Sequence, residues 1–305
     1  MVQDARSLGY GDLIERPRLK AIGLGGAGCN TISGFPFPSV GLCSHIDNIN
    51  GPPNQRRIVL NTDERALLRS ASPRMLGSVE RNITKRLRQE LDDNDLIFLF
   101  AGLGGETGSY IAPGIASLCR HLGAMVISSV ALPFSAEGTG RRNTAIAALP
   151  ELIKSSHITI TYPNDGLLKV APNLPFRRTF RVMDELMKTP SIELSQVLTI
   201  DDLSRLRKDI GTSSHMRMGT GSGIGMQREA VAVSEAFSSP WFDFDLSDTK
   251  IALIIISGCE IDEFSVRDVI GHVRARLPRT MIQYGVLSNP SAYDLRVTIL
   301  LSTKY

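Results

Sequence analysis

The chain has 305 residues, 42% of them hydrophobic and 21% charged, which is an ordinary globular composition with length for one large core or two moderate ones. Its net charge of +3 is too small to argue for nucleic acid, so Arg177-Arg178 and Arg205 to Lys208 read as solvated faces. No apolar run approaches the roughly 20 residues that span a bilayer and the N-terminus lacks a signal peptide's apolar core, which predicts a cytosolic protein without membrane insertion.

In chain order, the apolar runs Leu19 to Gly23, Arg57 to Leu60, Leu96 to Ala101, Met125 to Leu132 and Ile158 to Tyr162 are expected to be strands. Helical patterns fall between them, among them Val79 to Leu91, where Ile83, Leu87 and Leu91 share one face. Such alternation predicts parallel strands joined by crossover helices. Segment 34–57, with Pro36, Pro38, Pro52 and Pro53, reads as a long loop or surface excursion. From Thr179 a helix follows, with Phe180, Met183, Leu186 and Met187 on one side and Pro190 interrupting or ending it. The remainder predicts a small α+β domain: helix Arg228 to Phe237, strand Lys250 to Ser257, helix Ser265 to Leu277, then strands Thr280 to Leu287 and Leu295 to Ser302.

Two glycine-rich loops carry the chemistry. Phe100 to Ser109 and Gly23 to Asn30 each follow a predicted strand, and the first leads into a helix opening at Ile111 to Pro113. Glycines let backbone N–H groups converge on an anion, so two such loops on one sheet can enclose a nucleotide's phosphates from both sides. Gly23 to Gly28 also fits the dinucleotide fingerprint, but that reading needs an acidic residue at the end of the second strand, and Arg57 to Leu60 ends instead in Asn61-Thr62-Asp63. There is no Walker-type loop and no zinc signature. Cys29, Cys43, Cys119 and Cys259 are scattered thiols, His45, His121, His157, His215 and His272 have no ligand spacing, and Ser109 has no His and acid partners for a triad.

The ordered series of motifs resembles the tubulin and FtsZ superfamily, FtsZ more closely, from about Lys20 to Thr303. Gly102 to Pro113 is similar to its signature phosphate loop and Gly23 to Asn30 to its first nucleotide loop. Asn61-Thr62-Asp63, Leu132-Pro133-Phe134 with Glu137-Gly138 and Arg141, and Pro163-Asn164-Asp165 with Leu167-Leu168 match further family strings. The resemblance implies an α/β fold with a parallel-sheet nucleotide-binding domain, a central helix and a smaller α+β C-terminal domain. Its expected division is an N-terminal extension over 1–17, a GTP-binding domain over 18–172, a central helix region over 173–198 and the α+β domain over 199–305.

The nucleotide-binding set so implied is Gly25, Gly26, Ala27, Asn30, Gly104, Gly105, Glu106, Thr107, Gly108, Ser109, Glu137, Arg141, Asn164, Phe180 and Asp184. Glu137 is suited to ribose hydroxyls and Arg141 to phosphate or ribose. Asn164 and Asp184 suit the guanine edge, and Phe180 stacks on the base or is a core aromatic. The implied ligand is GTP or GDP, with Mg²⁺ as an accompanying candidate.

Three departures from the family pattern stand out. Glu106 and Tyr110 replace glycines in the signature loop, and a carboxylate there repels phosphate unless it points away or shares a cation. The third phosphate loop is shortened to Leu68 to Pro73. The catalytic loop, Asn-x-Asp-x-x-Asp in the family, becomes Thr199 to Arg205. Asp201 takes the place of the first carboxylate, Ser204 or Arg205 that of the second, and Asp202 is a partial substitute. Asp201 and Asp202 are thus candidate catalytic residues acting on a neighbouring subunit's nucleotide, or else caps of a helix over Leu203 to Lys208. Gly219 to Gly225 resembles the family's Met-Gly-x-Gly turn and reads as structural.

The expectation is an FtsZ-like guanine-nucleotide-binding cytoskeletal protein forming head-to-tail filaments linked to cell division, with weak or absent GTP hydrolysis. An active GTPase driving filament turnover is the alternative. A Rossmann-type oxidoreductase, resting on Gly23 to Gly28 alone, is the third reading. The expected partners are further copies of the chain and other FtsZ-family or division proteins. The resemblance ends at Tyr305 without the linker and peptide that tether FtsZ to membrane adaptors, which weakens the expectation of a main division ring.

Overall fold

The computed structural model describes residues 5–9, 15–44, 56–71, 75–173 and 175–304. The first elements are β1 (Ala5–Ser7), β2 (Leu19–Leu24), α1 (Gly25–Thr31), β3 (Ser39–Cys43), β4 (Arg57–Val59), α2 (Thr62–Arg69), α3 (Leu76–Asn82) and α4 (Lys85–Leu91). There follow β5 (Leu96–Gly102), α5 (Glu106–Tyr110), α6 (Ala112–His121), β6 (Met125–Leu132), α7 (Thr139–Ser155), β7 (Ile158–Pro163), α8 (Asp165–Val170) and α9 (Phe176–Val197). The chain continues through α10 (Ile200–Ile210), β8 (Ser214–Gly223), α11 (Arg228–Phe237), β9 (Ile251–Gly258), α12 (Glu263–Arg276), β10 (Met281–Ser288) and β11 (Leu295–Thr303). These elements form two compact units, one of Pro17–Thr189 with Arg205–Ser214, the other of Met1–Arg16, Pro190–Ser204 and His215–Tyr305.

In the first unit the strands run β7-β6-β5-β2-β3-β4, all parallel, with Phe98 of β5 opposite Ala21 of β2 and Ile127 of β6. The middle strands are buried over nearly their whole length, as a parallel sheet covered by helices requires. Ile22, Leu99 and Val126 pack with Leu87, Ile115 and Leu149 of the helices into one core. Parallel strands place every β-to-α loop at the carboxyl edge, where both glycine loops lie.

In the second unit the order is β1-β10-β9-β11-β8, with β1, β10 and β9 parallel and β11 antiparallel to both β9 and β8. Ile254, Ile256, Val269, Val273, Val297 and Ile299 are among the residues of its core. The fold is therefore the α/β class expected.

Several local expectations change. Segment 34–57 is not only a loop, because Ser39–Cys43 forms β3 alongside β2, burying Val40 and Leu42. Pro52 and Pro53 lie outside the described residues, as do His45 and the Ser72-Pro73 end of the shortened loop. Val79 to Leu91 is two helices, broken at Ile83, because the Thr84 hydroxyl accepts from Leu87 N–H and starts α4 afresh. Pro190 neither ends nor splits α9 but lies within it. The N-terminal extension contains β1, paired in parallel with β10. The glycine-dense run contributes Gly219, Gly221 and Gly223 to β8, where a Cβ would stand 1.9–2.2 Å from the carbonyl oxygens of Ala236, Ala232 and Arg228 in α11. No disulfide links the four cysteines, and among the described residues no helix is long and apolar enough to cross a membrane.

Candidate functional site

The two glycine loops touch. A Cβ on Gly28 would lie 2.1 Å from the Phe100 carbonyl oxygen, and one on Gly102 would lie 2.9 Å from Ala27 Cβ, so only glycine allows this approach; within the second loop, one on Gly108 would lie 2.2 Å from the Gly102 carbonyl oxygen. Above them lies a cavity of about 410 Å³. Gly25, Gly26, Ala27, Gly105, Glu106, Thr107 and Gly108 line it from the loops, and Glu137, Arg141, Asn164, Phe180 and Asp184 complete it.

Three expected residues do not line the cavity. Asn30 is exposed on α1. Ser109 is buried, and its hydroxyl accepts from the Gly104 N–H at 2.8 Å, so these two brace the loop from behind.

Each polar wall has its own support. Glu137 accepts from the Phe134 N–H at 2.8 Å and from the Arg141 guanidinium at 2.5 Å, which orients both carboxylate oxygens. Asp165 accepts from the Ser135 N–H at 3.0 Å, joining the loop after β6 to the start of α8. Asn164 is 5% exposed, and its side-chain oxygen Oδ1 is buried with no hydrogen-bond partner among the described residues. An orphan acceptor at the cavity wall is a cost unless a ligand supplies a donor. Asp184 accepts from the Thr31 hydroxyl at 2.7 Å. Burial raises the Asp184 pKa, against which Thr31 and Lys188 favour the charged form. Phe180 is partly exposed, its ring edge-on to Phe134 at 5.9 Å.

Other residues lie at or beside the site outside the predicted binding set. Ser44, just past β3, shares a 2.9 Å hydrogen bond with Thr107. Met183 and Met187 sit beside Asp184 at the spacing of one helical face, a pattern that also fits a plain core. Arg69, the last residue of α2, pairs with Glu106 and stacks over the Tyr110 ring at 5.4 Å. Glu106 thus shares a cation, the condition under which a carboxylate at this loop is tolerable.

The catalytic-loop expectation needs one correction. Helix α10 begins at Ile200, and Asp202 is 1% exposed. Its carboxylate accepts from the Thr199 N–H at 3.0 Å, the Thr199 hydroxyl at 2.7 Å and the Gly9 N–H at 2.9 Å, while the Asp202 N–H donates back to Thr199 Oγ1 at 3.2 Å. This is a reciprocal capping arrangement, so Asp202 is withdrawn from the water-polarising pair. Asp201 and Ser204 are exposed and three residues apart on α10, hence on one face.

A parallel sheet whose carboxyl edge carries two touching glycine loops beneath one polar-walled cavity is the architecture of phosphate-binding α/β proteins. Residues 43–172 match the tubulin/FtsZ family GTPase domain. The chain is 30% identical over 304 residues to cell division protein FtsZ 1 of Pyrococcus horikoshii, covering 94% of this chain and 81% of that one. Among solved structures, it is similar to the empty FtsZ dimer of M. jannaschii, with TM-score 0.79, 25% identity and coverage of 94% and 88%. It also shares its fold with the GTPγS-bound protofilament of CetZ2 from Haloferax volcanii, with TM-score 0.71, 17% identity and coverage of 94% of both chains. The chain belongs to the tubulin/FtsZ family.

Proposed function

We propose that this protein is an FtsZ-like cytoskeletal protein that binds guanine nucleotide, assembles head to tail into filaments in a process linked to cell division, and hydrolyses GTP weakly or not at all. The observation that carries the nucleotide reading is the buried, unpartnered Oδ1 of Asn164, which lines one cavity together with Asp184. An amide oxygen and a carboxylate on the walls of one cavity present acceptors to a ligand edge rich in donors. Guanine offers N1–H and an exocyclic amine, whereas adenine has an acceptor at N1.

The remaining walls fit the rest of a nucleotide. Backbone N–H groups of the two glycine loops would hold the phosphates, with the Thr107 hydroxyl beside them. Glu137, braced by Phe134 and Arg141, retains lone pairs for ribose hydroxyls, and Phe180 offers a ring face to the base. No group of three or more metal-ligating side chains occurs among the described residues, so an accompanying Mg²⁺ would draw its ligands largely from phosphate oxygens and water. The bound GTP would supply the phosphoanhydride bond. Hydrolysis needs a positioned and polarised water. Asp201 is the exposed carboxylate of α10 for that role on a neighbouring copy, and Ser204 cannot supply a second.

The family match and the protofilament of the CetZ2 relative support self-assembly. Calorimetry with GDP and ADP tests the nucleotide assignment. GDP is expected to bind more tightly, and Asp184→Ala is expected to lose that preference by about 1–3 kcal/mol, the cost of a polar group left unpaired. Equal or tighter ADP binding rejects the assignment.

A further inference from the structure

We propose that Arg69 recognises the terminal phosphate of a bound nucleoside triphosphate, held in place by Glu106 and Tyr110. This rests on the nucleotide reading of the cavity and adds a specificity-determining residue to it. Three sequence features that look like separate losses, the carboxylate at 106, the aromatic at 110 and the shortened loop after α2, meet at one guanidinium.

Glu106 lines the cavity over the glycine loops and also an adjoining hollow walled by Thr62, Arg65, Ala66, Arg69 and Ser70. It is the side chain common to both, so its ion-pair partner Arg69, on the wall of the adjoining hollow, is one side chain removed from the cavity. Arg69 and Glu106 are 42% and 57% exposed, so a ligand can reach either. A guanidinium carries five donors in a rigid plane, and one terminal nitrogen, Nη2, meets Glu106. The rest of the fork can bridge from that carboxylate to phosphate oxygens, a charge-assisted contact that a shortened backbone loop provides less well. Tyr110 sets the plane of the fork by stacking beneath it.

The charges make this arrangement directional. Glu106 alone would repel each added phosphate, most strongly the terminal one. Paired with Arg69 it is neutralised, and it becomes the anchor that keeps the arginine extended towards the cavity. A diphosphate ends short of this contact, so the device separates triphosphate from diphosphate rather than raising affinity for both.

Equilibrium binding of GDP and of the slowly hydrolysed analogue GTPγS to wild type, Arg69→Ala, Glu106→Gln and the double variant tests the assignment. Arg69→Ala is expected to weaken GTPγS binding by about tenfold or more, as for a lost hydrogen bond to a charged group, and GDP binding by less than about twofold. Glu106→Gln is expected to weaken GTPγS binding, by less than Arg69→Ala does, because the arginine loses the charged anchor that holds it in place. The double variant is expected to recover part of the Arg69→Ala loss, because the orphaned carboxylate has gone with its partner. If Arg69→Ala does not fold, Arg69→Gln, similar in reach and uncharged, carries the same comparison. Binding of both nucleotides with an unchanged ratio in the Arg69 variant overturns this assignment alone. A wild-type chain that binds neither nucleotide removes the reading of the cavity itself, and this assignment with it.

Discussion

The Thr31 hydroxyl lies 2.7 Å from Asp184 Oδ1 and joins α1, the helix after the first glycine loop, to α9. Its proton stabilises the charged carboxylate that burial disfavours. Thr31→Val keeps the shape and removes the donor. It is expected to lower stability by about 1.5–3 kcal/mol, the range for a hydrogen bond to a charged group, and to weaken GDP binding through the Asp184 carboxylate it orients. It should also raise the Asp184 pKa further, so that binding fails at a higher pH on the acid side. GDP affinity measured from pH 5 to 8 checks this, and an acid limb identical to wild type would sink it.

Glu193 gives the second unit a pH-dependent weakness. Burial pushes its pKa from 4.5 to about 7, while Thr298 and Arg296 pull the other way. The folded chain therefore holds this proton more tightly than the unfolded one, so its contribution is present below pH 4.5 and lost as pH rises through 7. The difference is about 3 kcal/mol. Glu193→Gln is expected to leave stability near pH 4.5 almost unchanged and to raise it at pH 8 by up to that amount. Denaturant unfolding at the two pH values measures the gap.

His157 acts at the opposite end of the scale. Burial, with Arg120 and Arg207 nearby, lowers its pKa from 6.5 to about 3, and its Nδ1 accepts from the buried Val126 N–H at 3.0 Å. A depressed pKa means stability present above 6.5 and lost as pH falls towards 3, at most about 4–5 kcal/mol. His157→Gln retains an acceptor and cannot take the charge. Its acid unfolding midpoint should move to lower pH, and a midpoint that stays in place would show that other groups control acid unfolding.

The two carboxylates at the start of α10 should separate cleanly under mutation. Asp202→Asn disturbs a buried cap and is expected to lower stability by about 0.5–2 kcal/mol. Ser204→Asp places a second acid on the exposed face with Asp201. If a missing carboxylate limits hydrolysis, phosphate release measured against rising protein concentration should increase by about 10²-fold or more, the scale of general acid–base catalysis. Sedimentation alongside reports assembly. Robust, cooperative turnover in the wild type would restore the active-GTPase reading.

Much of the parallel sheet was legible because β5, β6 and β7 are buried over nearly their whole length and so read as predominantly apolar runs, interrupted only by Ser128-Ser129 in β6 and by Thr159 and Thr161 in β7, with Gly102 and the glycines beyond β5 marking a loop. Strand β3 was not legible. Its five residues follow Pro36 and Pro38, and Val40 and Leu42 are apolar enough for a strand only once β2 lies beside them. The Arg69–Glu106 and Thr31–Asp184 contacts depend on elements brought together across long stretches of chain, which no local spacing encodes. Adjacent residues Asp201 and Asp202 look equivalent in sequence, but starting α10 at Ile200 turns the second inward to Thr199 and Gly9 and leaves the first in solvent.

The alternate glycines of β8 reverse the usual relation between importance and side-chain content. At Gly219, Gly221 and Gly223 the obstructing atoms are main-chain carbonyl oxygens. No rotamer change could make room for even a methyl group, and the helix would have to lift as a body. The smallest possible enlargement there is therefore expected to harm the fold more than many truncations in the oily interior, where neighbours can partly collapse into the gap. A drifting sequence could exchange Leu for Ile or Met around this contact with little penalty. It could not add one carbon to the strand at its centre.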